Sequence, residues 1–179
     1  MLSQAEHDKL ATAVLVTDSR AFAEKVCAEL ERQIPLLPRA AIARVSIDAC
    51  GKIIVAENDL HKAIEIANEL APEHLELCVD NPFDYLDEIR HAGSIFLGKN
   101  CPEALGDYFA GPNHTLPTCG TARFSSALSV DDFVKKSQFT YYTPQALQEV
   151  AEKIARFARQ EGLEAHARSV TVRFEEDAT

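Results

Sequence analysis

Short β-branched apolar runs alternate along this sequence with longer stretches whose apolar residues recur every three or four positions, and few architectures accept that order. The run from Ala11 to Thr17 (ATAVLVT) reads as a strand, and Asp18 or Ser19 then caps a helix to about Gln33 carrying Phe22, Val26 and Leu30 on one stripe. Pro35 and Pro38 precede a second helix over Arg39–Ser46, and Gly51 opens a strand over Lys52–Ala56. Asn58 is placed to cap a third helix, with Leu60, Ala63, Ile64, Ala67 and Leu70 on one face, and Pro72 ends it. A strand over His74–Val79 follows. Next comes a helix opened by Pro82 and closed by Gly93, then a fourth strand over Ser94–Leu97. Strands separated by helices predict an α/β fold, a partial Rossmann-like and mostly parallel sheet with flanking helices. Residues 98–128 break the rhythm with Gly, Pro, Asn, Ser and Thr among charged and aromatic side chains. A long irregular segment inside a compact domain usually carries function. Beyond it, Pro144–Gln160 reads as one amphipathic helix and a second should include His166. The expected organisation is therefore an α/β part over 1–128 and a helical C-terminal tail over 129–179.

With 18 Lys and Arg against 28 Asp and Glu, the net charge is −10, which repels polyanions and argues against a nucleic-acid partner. No apolar stretch approaches the roughly 20 residues that span a bilayer, and no secretory signal opens the chain, so a cytoplasmic protein with no membrane partner is expected. The cysteines (Cys27, Cys50, Cys78, Cys101 and Cys119) are odd in number and widely spaced, which predicts buried free thiols in place of disulfides or a thiolate zinc site.

Chemistry is concentrated at a few positions. Gln4 and His7 stand one helical turn apart. Glu73 and His74 form an adjacent acid and base, although consecutive strand residues point to opposite faces. Asp107 and His114 flank Gly111 and Pro112, whose backbone preferences let a carboxylate and an imidazole converge, and His166 lies in the tail. His61 and His91 read as solvated surface residues. The imidazole, carboxylate and amide donors suit zinc, but spacing alone leaves open which of them meet. The seven glycines never take dinucleotide-loop or P-loop spacing.

Several segments resemble histidinol dehydrogenase: SQAEHD at 3–8, APEHLE at 71–76, AGSIFLG at 92–98, the run PEALGDYFAGPNHTLPTCGTARFSS at 102–126, LSVDDFVK at 128–135 and EGLEAHA at 161–167. The resemblance implies zinc- and NAD-dependent oxidation of L-histidinol through L-histidinal to L-histidine, in histidine biosynthesis. It implies zinc ligands at Gln4, His7 and Asp107, with His166 supplied by the tail of a second copy. His74 would be the base that takes the alcohol proton, and Glu73 the residue that activates water on the aldehyde. Gln4, His7, His74, Asp107, Glu161, His166 and His114 would contact substrate. Members of the family are much longer, and their NAD site would lie ahead of residue 1. The resemblance thus implies a C-terminal part that is inactive alone and forms a tail-swapped homodimer; a truncated piece, a partial gene and a split enzyme partnered by a separate N-terminal half all fit it. A truncated, non-catalytic metal-binding or dimerisation module is the alternative, and a zinc hydrolase using Glu73 on water a remoter one.

Overall fold

The computed structural model describes residues 1–175, so the end of the expected tail, 176–179, lies outside the described residues. Helix α1 (Leu2–Ala5) leads into strand β1 (Val14–Thr17), helix α2 (Arg20–Gln33), helix α3 (Ala40–Cys50) and strand β2 (Lys52–Val55). Helix α4 (Leu60–Leu70) then precedes strand β3 (His74–Leu77), a 3-10 helix over Pro82–Glu88 and strand β4 (Ser94–Leu97). Helix α5 (Glu103–Leu105), a π turn over Gly106–Ala110, helix α6 (Pro144–Gln160) and helix α7 (Glu164–Thr171) complete the main elements. The chain divides into two compact units, Met1–Phe133 and Val134–Thr179.

The first unit is the α/β part. The strands pair in parallel in twos, β1 with β2 and β3 with β4. β1 meets β2 with Val14 opposite Lys52, and β3 meets β4 with His74 opposite Ser94. The expected parallel pairing is present, but among the described residues as two two-stranded sheets. Helix α2 covers both strands of the first pair, α4 packs on β1, and α1 packs on α3. Leu30, Ile34, Ala43, Ile64, Leu77 and Phe96 are buried between these layers, and each large side chain among them contributes about 1.5–3 kcal/mol of burial. Ser46, wholly buried on α3, donates from Oγ to the carbonyl of Ala11 at 2.7 Å and ties that helix to the lead-in of β1.

Local chemistry accounts for the element ends. Ser19 caps α2 by accepting from the Phe22 N–H. For α4 the cap is Asp59, one residue later than the expected Asn58, which instead sits in a left-handed turn and donates its N–H to the Asp18 carbonyl. Helix α3 runs four residues past the expected Ser46, to Cys50. The helix expected up to Gly93 is a 3-10 helix that stops at Glu88. Asn68 on α4 supplies the reason: its amide donates to the Glu88 carbonyl at 2.8 Å and its oxygen accepts from the N–H groups of Arg90 and His91. Those backbone groups are thereby taken out of any continuing helix.

The second unit is a helical pair. Thr143 caps α6, and Ala155 and Ala158 of α6 pack on Ala167 of α7. No described helix is long and apolar enough to cross a membrane. The five cysteines are free, as expected, but Cys27, Cys78 and Cys119 are exposed and the other two half-buried, so burial is not what keeps them apart.

Candidate functional site

Left-handed Ala71 and then Pro72 end α4, and the chain turns directly into β3. The pairing with β4 begins ahead of the strand itself, with Gly93 N–H bonded to the Pro72 carbonyl and Ser94 N–H to the Glu73 carbonyl. Gly93 permits that approach, since a Cβ there would stand 2.6 Å from the Glu73 carbonyl oxygen. Glu73 therefore lies just outside the pleat, and strand alternation does not separate it from His74. The ligand atoms of Glu73, His74 and His114 all lie within 4.8 Å of one another.

The irregular segment closes over this strand end. Within β3, His74 and Glu76 share a face. A Glu76 carboxylate oxygen accepts the Glu103 N–H at 2.9 Å, at the first residue of α5. Gly106 then runs against the buried Phe96 ring, which a Cβ at this position would meet at 2.6 Å. The π turn there, a conformation frequent at functional sites, carries Asp107. His114 comes back to it, with Nδ1 2.7 Å from the Asp107 carboxylate. The ring of His114 stacks on that of His74 at 5.5 Å between centroids and an angle of 13°. Phe96 flanks His74 from another direction at 6.0 Å. Asp107 is only 17% exposed and His114 56%, so the cluster has one open side.

His74, Glu103 and Asp107 form a second set of donors within 4.8 Å. Burial, followed by a hydrogen bond and the negative charge of Asp107, pushes the Glu103 carboxyl up to about 7, against the opposing pull of His114. Glu103 thus keeps its proton to higher pH than an ordinary carboxyl group. Nε2 of His74 is buried and has no hydrogen-bond partner, so one nitrogen of the central imidazole is free to take a proton or a cation.

The residues singled out from sequence are distributed unevenly. Glu73, His74, Asp107 and His114 come together. Gln4 is half-buried on α1, which ends at Ala5, so His7 lies beyond the helix; its N–H still bonds to the Gln4 carbonyl at 3.2 Å. His7 is exposed, its carbonyl accepts from Arg39, and it belongs to neither donor set among the described residues. Glu161 caps the C-terminus of α6 and His166 lies on α7, both exposed and both in the second unit. Glu103 was not singled out at all. Its signal was available as a second carboxylate one helical turn before Asp107, a spacing at which like charges repel unless a proton or cation stands between them. His61, read as solvated, bonds through Nδ1 to Glu88 at 2.9 Å, and His91 lines a surface cleft of about 700 Å³ with Arg90 and Arg123.

The donor chemistry fits a divalent transition metal, being imidazole nitrogen and carboxylate oxygen. Of the imidazole and carboxylate zinc ligands that the resemblance implies, Asp107 stands within these sets, and His7 and His166 do not. An α/β protein with a half-buried imidazole beside paired carboxyl groups at a strand end belongs to the class equipped for proton transfer or metal binding. The sequence model of histidinol dehydrogenase matches residues 1–174, and the chain belongs to that family of oxidoreductases. It is 59% identical over 97% of its length to histidinol dehydrogenase of Geobacter metallireducens, and 57% identical over 98% to that of Syntrophotalea carbinolica. These alignments cover 39% and 41% of the two relatives, so the chain spans about 40% of their length. The crystal structure of histidinol dehydrogenase from Elizabethkingia anophelis matches with a TM-score of 0.86 and 39% identity, over 97% of this chain and 40% of that one.

Proposed function

We propose that this chain supplies the acid–base part of a cytoplasmic histidinol dehydrogenase that oxidises L-histidinol to L-histidine by way of L-histidinal. The observation that carries the reading is the convergence of Glu73, His74, Asp107 and His114 at the end of β3, around an imidazole with a free buried nitrogen. In the first oxidation His74 takes the proton of the substrate hydroxyl through Nε2 while the carbinol carbon gives up a hydride. In the second, Glu73 takes a proton from water as its oxygen adds to the aldehyde, protonated His74 returns its proton to the former carbonyl oxygen, and the resulting hydrate then loses a proton to His74 and a second hydride. Each hydride goes to NAD, which supplies the acceptor chemistry when bound by residues outside this chain. Asp107 is held in place at the site by His114 and Glu103. Zinc, when held by Gln4, His7, Asp107 and the His166 of a second copy, orients the substrate nitrogen atoms. Support for that ligand set rests on the family; the geometry adds only the readiness of Asp107. A homodimer with exchanged tails, bringing Glu161 and His166 to the neighbouring site, belongs to the same reading.

The test is complementation. NADH formation from L-histidinol with zinc is measured for the 179-residue chain alone and mixed with the remaining N-terminal part of a relative. The chain alone should be silent, and the mixture should turn over. Replacing His74 by Asn should then cost the mixture about 10²–10⁴-fold, the usual worth of a positioned base. Turnover by the pure chain would show that its cofactor site is not elsewhere. A mixture that associates but stays inert would leave the non-catalytic metal-binding or dimerisation module as the better reading.

A further inference from the structure

The stretch from Glu103 to Asp107 is pinned at three points. At its start, the carboxylate of Glu76 accepts the Glu103 N–H at 2.9 Å and fixes the first residue of α5. At its end, Asp107 stands 2.7 Å from Nδ1 of His114, whose ring stacks on that of His74. Between the two, Gly106 presses on Phe96: a Cβ on this glycine would lie 2.6 Å from Cε1 and 3.1 Å from Cζ of the ring. The backbone at Gly106 is helical, with φ −62° and ψ −50°, so no left-handed turn calls for glycine there. Only the close approach to Phe96 does.

Phe96 has little room to give way. It is buried and stands opposite Glu76 in the parallel pair, so it shares the face that carries His74. Its ring meets that of His74 at 6.0 Å between centroids, within the range of aromatic pairs. One ring therefore touches both the imidazole and the turn that bears the carboxylate. Carbon atoms in ordinary contact stand about 3.5–4.0 Å apart. A methyl group on Gly106 would thus force a movement of about 1 Å, either of the ring beside His74 or of the turn that carries Asp107.

We infer that Phe96 and Gly106 are positioning residues for the proposed oxidation, the ring of Phe96 setting the spacing between His74 and Asp107. What the spacing serves rests on the proposed function; the spacing itself belongs to this chain alone. Neither residue touches the reacting atoms, and each acts through the base or the carboxylate. A misplacement of about 1 Å at a reacting centre costs about 10²-fold in rate.

The experiment is a double-mutant cycle of Gly106→Ala and Phe96→Leu, the second of which removes the two ring atoms that the new methyl would meet. In the complementation mixture, Gly106→Ala should lower kcat about 10²-fold with a smaller change in KM, although alanine is the better helix former. In the Phe96→Leu background the same change should cost less than about tenfold, because the methyl enters space that the ring has left. Carbon–proton NMR of the 179-residue chain reads the His114 ring without turnover. Its resonances should be displaced by Gly106→Ala where Phe96 is present and not where leucine replaces it. Circular dichroism checks each variant, and unfolding by Gly106→Ala only where Phe96 is present would show the same coupling. Gly106→Ala with native kcat and native His114 resonances overturns the inference. So does an equal effect in both backgrounds, or a loss of rate no larger than the loss of folded protein. Coupled displacement of the resonances in a chain whose mixture stays inert upholds the spacing and sinks the dehydrogenase reading.

Discussion

His61 and Asn68 leave α4 two turns apart, and both reach the same short segment. Asn68 binds the backbone from Glu88 to His91, while the His61 ring meets the Glu88 carboxylate at 2.9 Å and lies against Tyr85 at 5.7 Å between ring centroids. The hydrogen bond to Glu88, then its charge, raises the His61 pKa above its ordinary 6.5, and Asp59 and Glu65 add smaller pulls in the same direction. A base whose folded pKa is raised adds stability in full below its unfolded pKa and loses it as pH rises through the folded one. Urea midpoints of the native chain and of His61→Gln should therefore differ most below the ordinary histidine pKa of about 6.5 and converge as pH rises through the raised folded value. The difference will be modest because the pair is exposed. A gap that widens with pH would mean that His61 acts by packing on Tyr85 and not by charge.

At the scale of the element, the two ends of α4 were read with unequal success. Pro72 stopped the helix as expected, whereas the cap moved from Asn58 to Asp59. Either side chain can accept from a helix N–H; what decides between them is the left-handed backbone at Asn58, fixed by its N–H bond to Asp18. Asp59→Ala should cost about 1 kcal/mol in chemical denaturation, the usual value of a cap, while Asn58→Gly should cost a few tenths at most. The reverse order would restore Asn58 as the cap. Helix α6 carries a comparable surprise. Its bounds, Pro144–Gln160, are those expected, but the face it buries is Ala151, Ala155 and Ala158, one position round from its larger apolar residues Leu147, Val150, Ile154 and Phe157, which stand at helical spacing. Alanine lets α7 approach closely through Ala167, and Ile154 and Phe157 stay 40% and 63% exposed. Hydrophobicity measured along a sequence rewards the larger side chains, and helix pairing at close range rewards the smaller.

Taken whole, the chain shows much apolar surface: Tyr108, Phe109, Phe124, Phe139 and Tyr141 are each more than 80% exposed, and Phe157 joins them on α6. Isolated exposed apolar residues are ordinary, but so many in one 179-residue chain favour association. Light scattering at micromolar concentration should give twice the 19.7 kDa mass of the chain, in keeping with the proposed exchange of tails. A strictly monomeric chain would remove the homodimer from the proposed function while leaving the family unaffected. What the sequence determined by itself was the local and the inherited: strand and helix order, the Ser19 cap, the stop at Pro72, the parallel pairing, and the family, because these depend on residue types at short spacing or on long matching segments. Only the tertiary structure decided that Glu73 shares a site with His74 despite strand alternation, because the pairing with β4 starts before the pleat. It alone showed Glu103 beside Asp107 and left His7 outside both donor sets. These are through-space facts, set by a π turn closing on Phe96 and by the reach of Asn68, and spacing along a chain does not encode where a turn of irregular backbone brings its side chains.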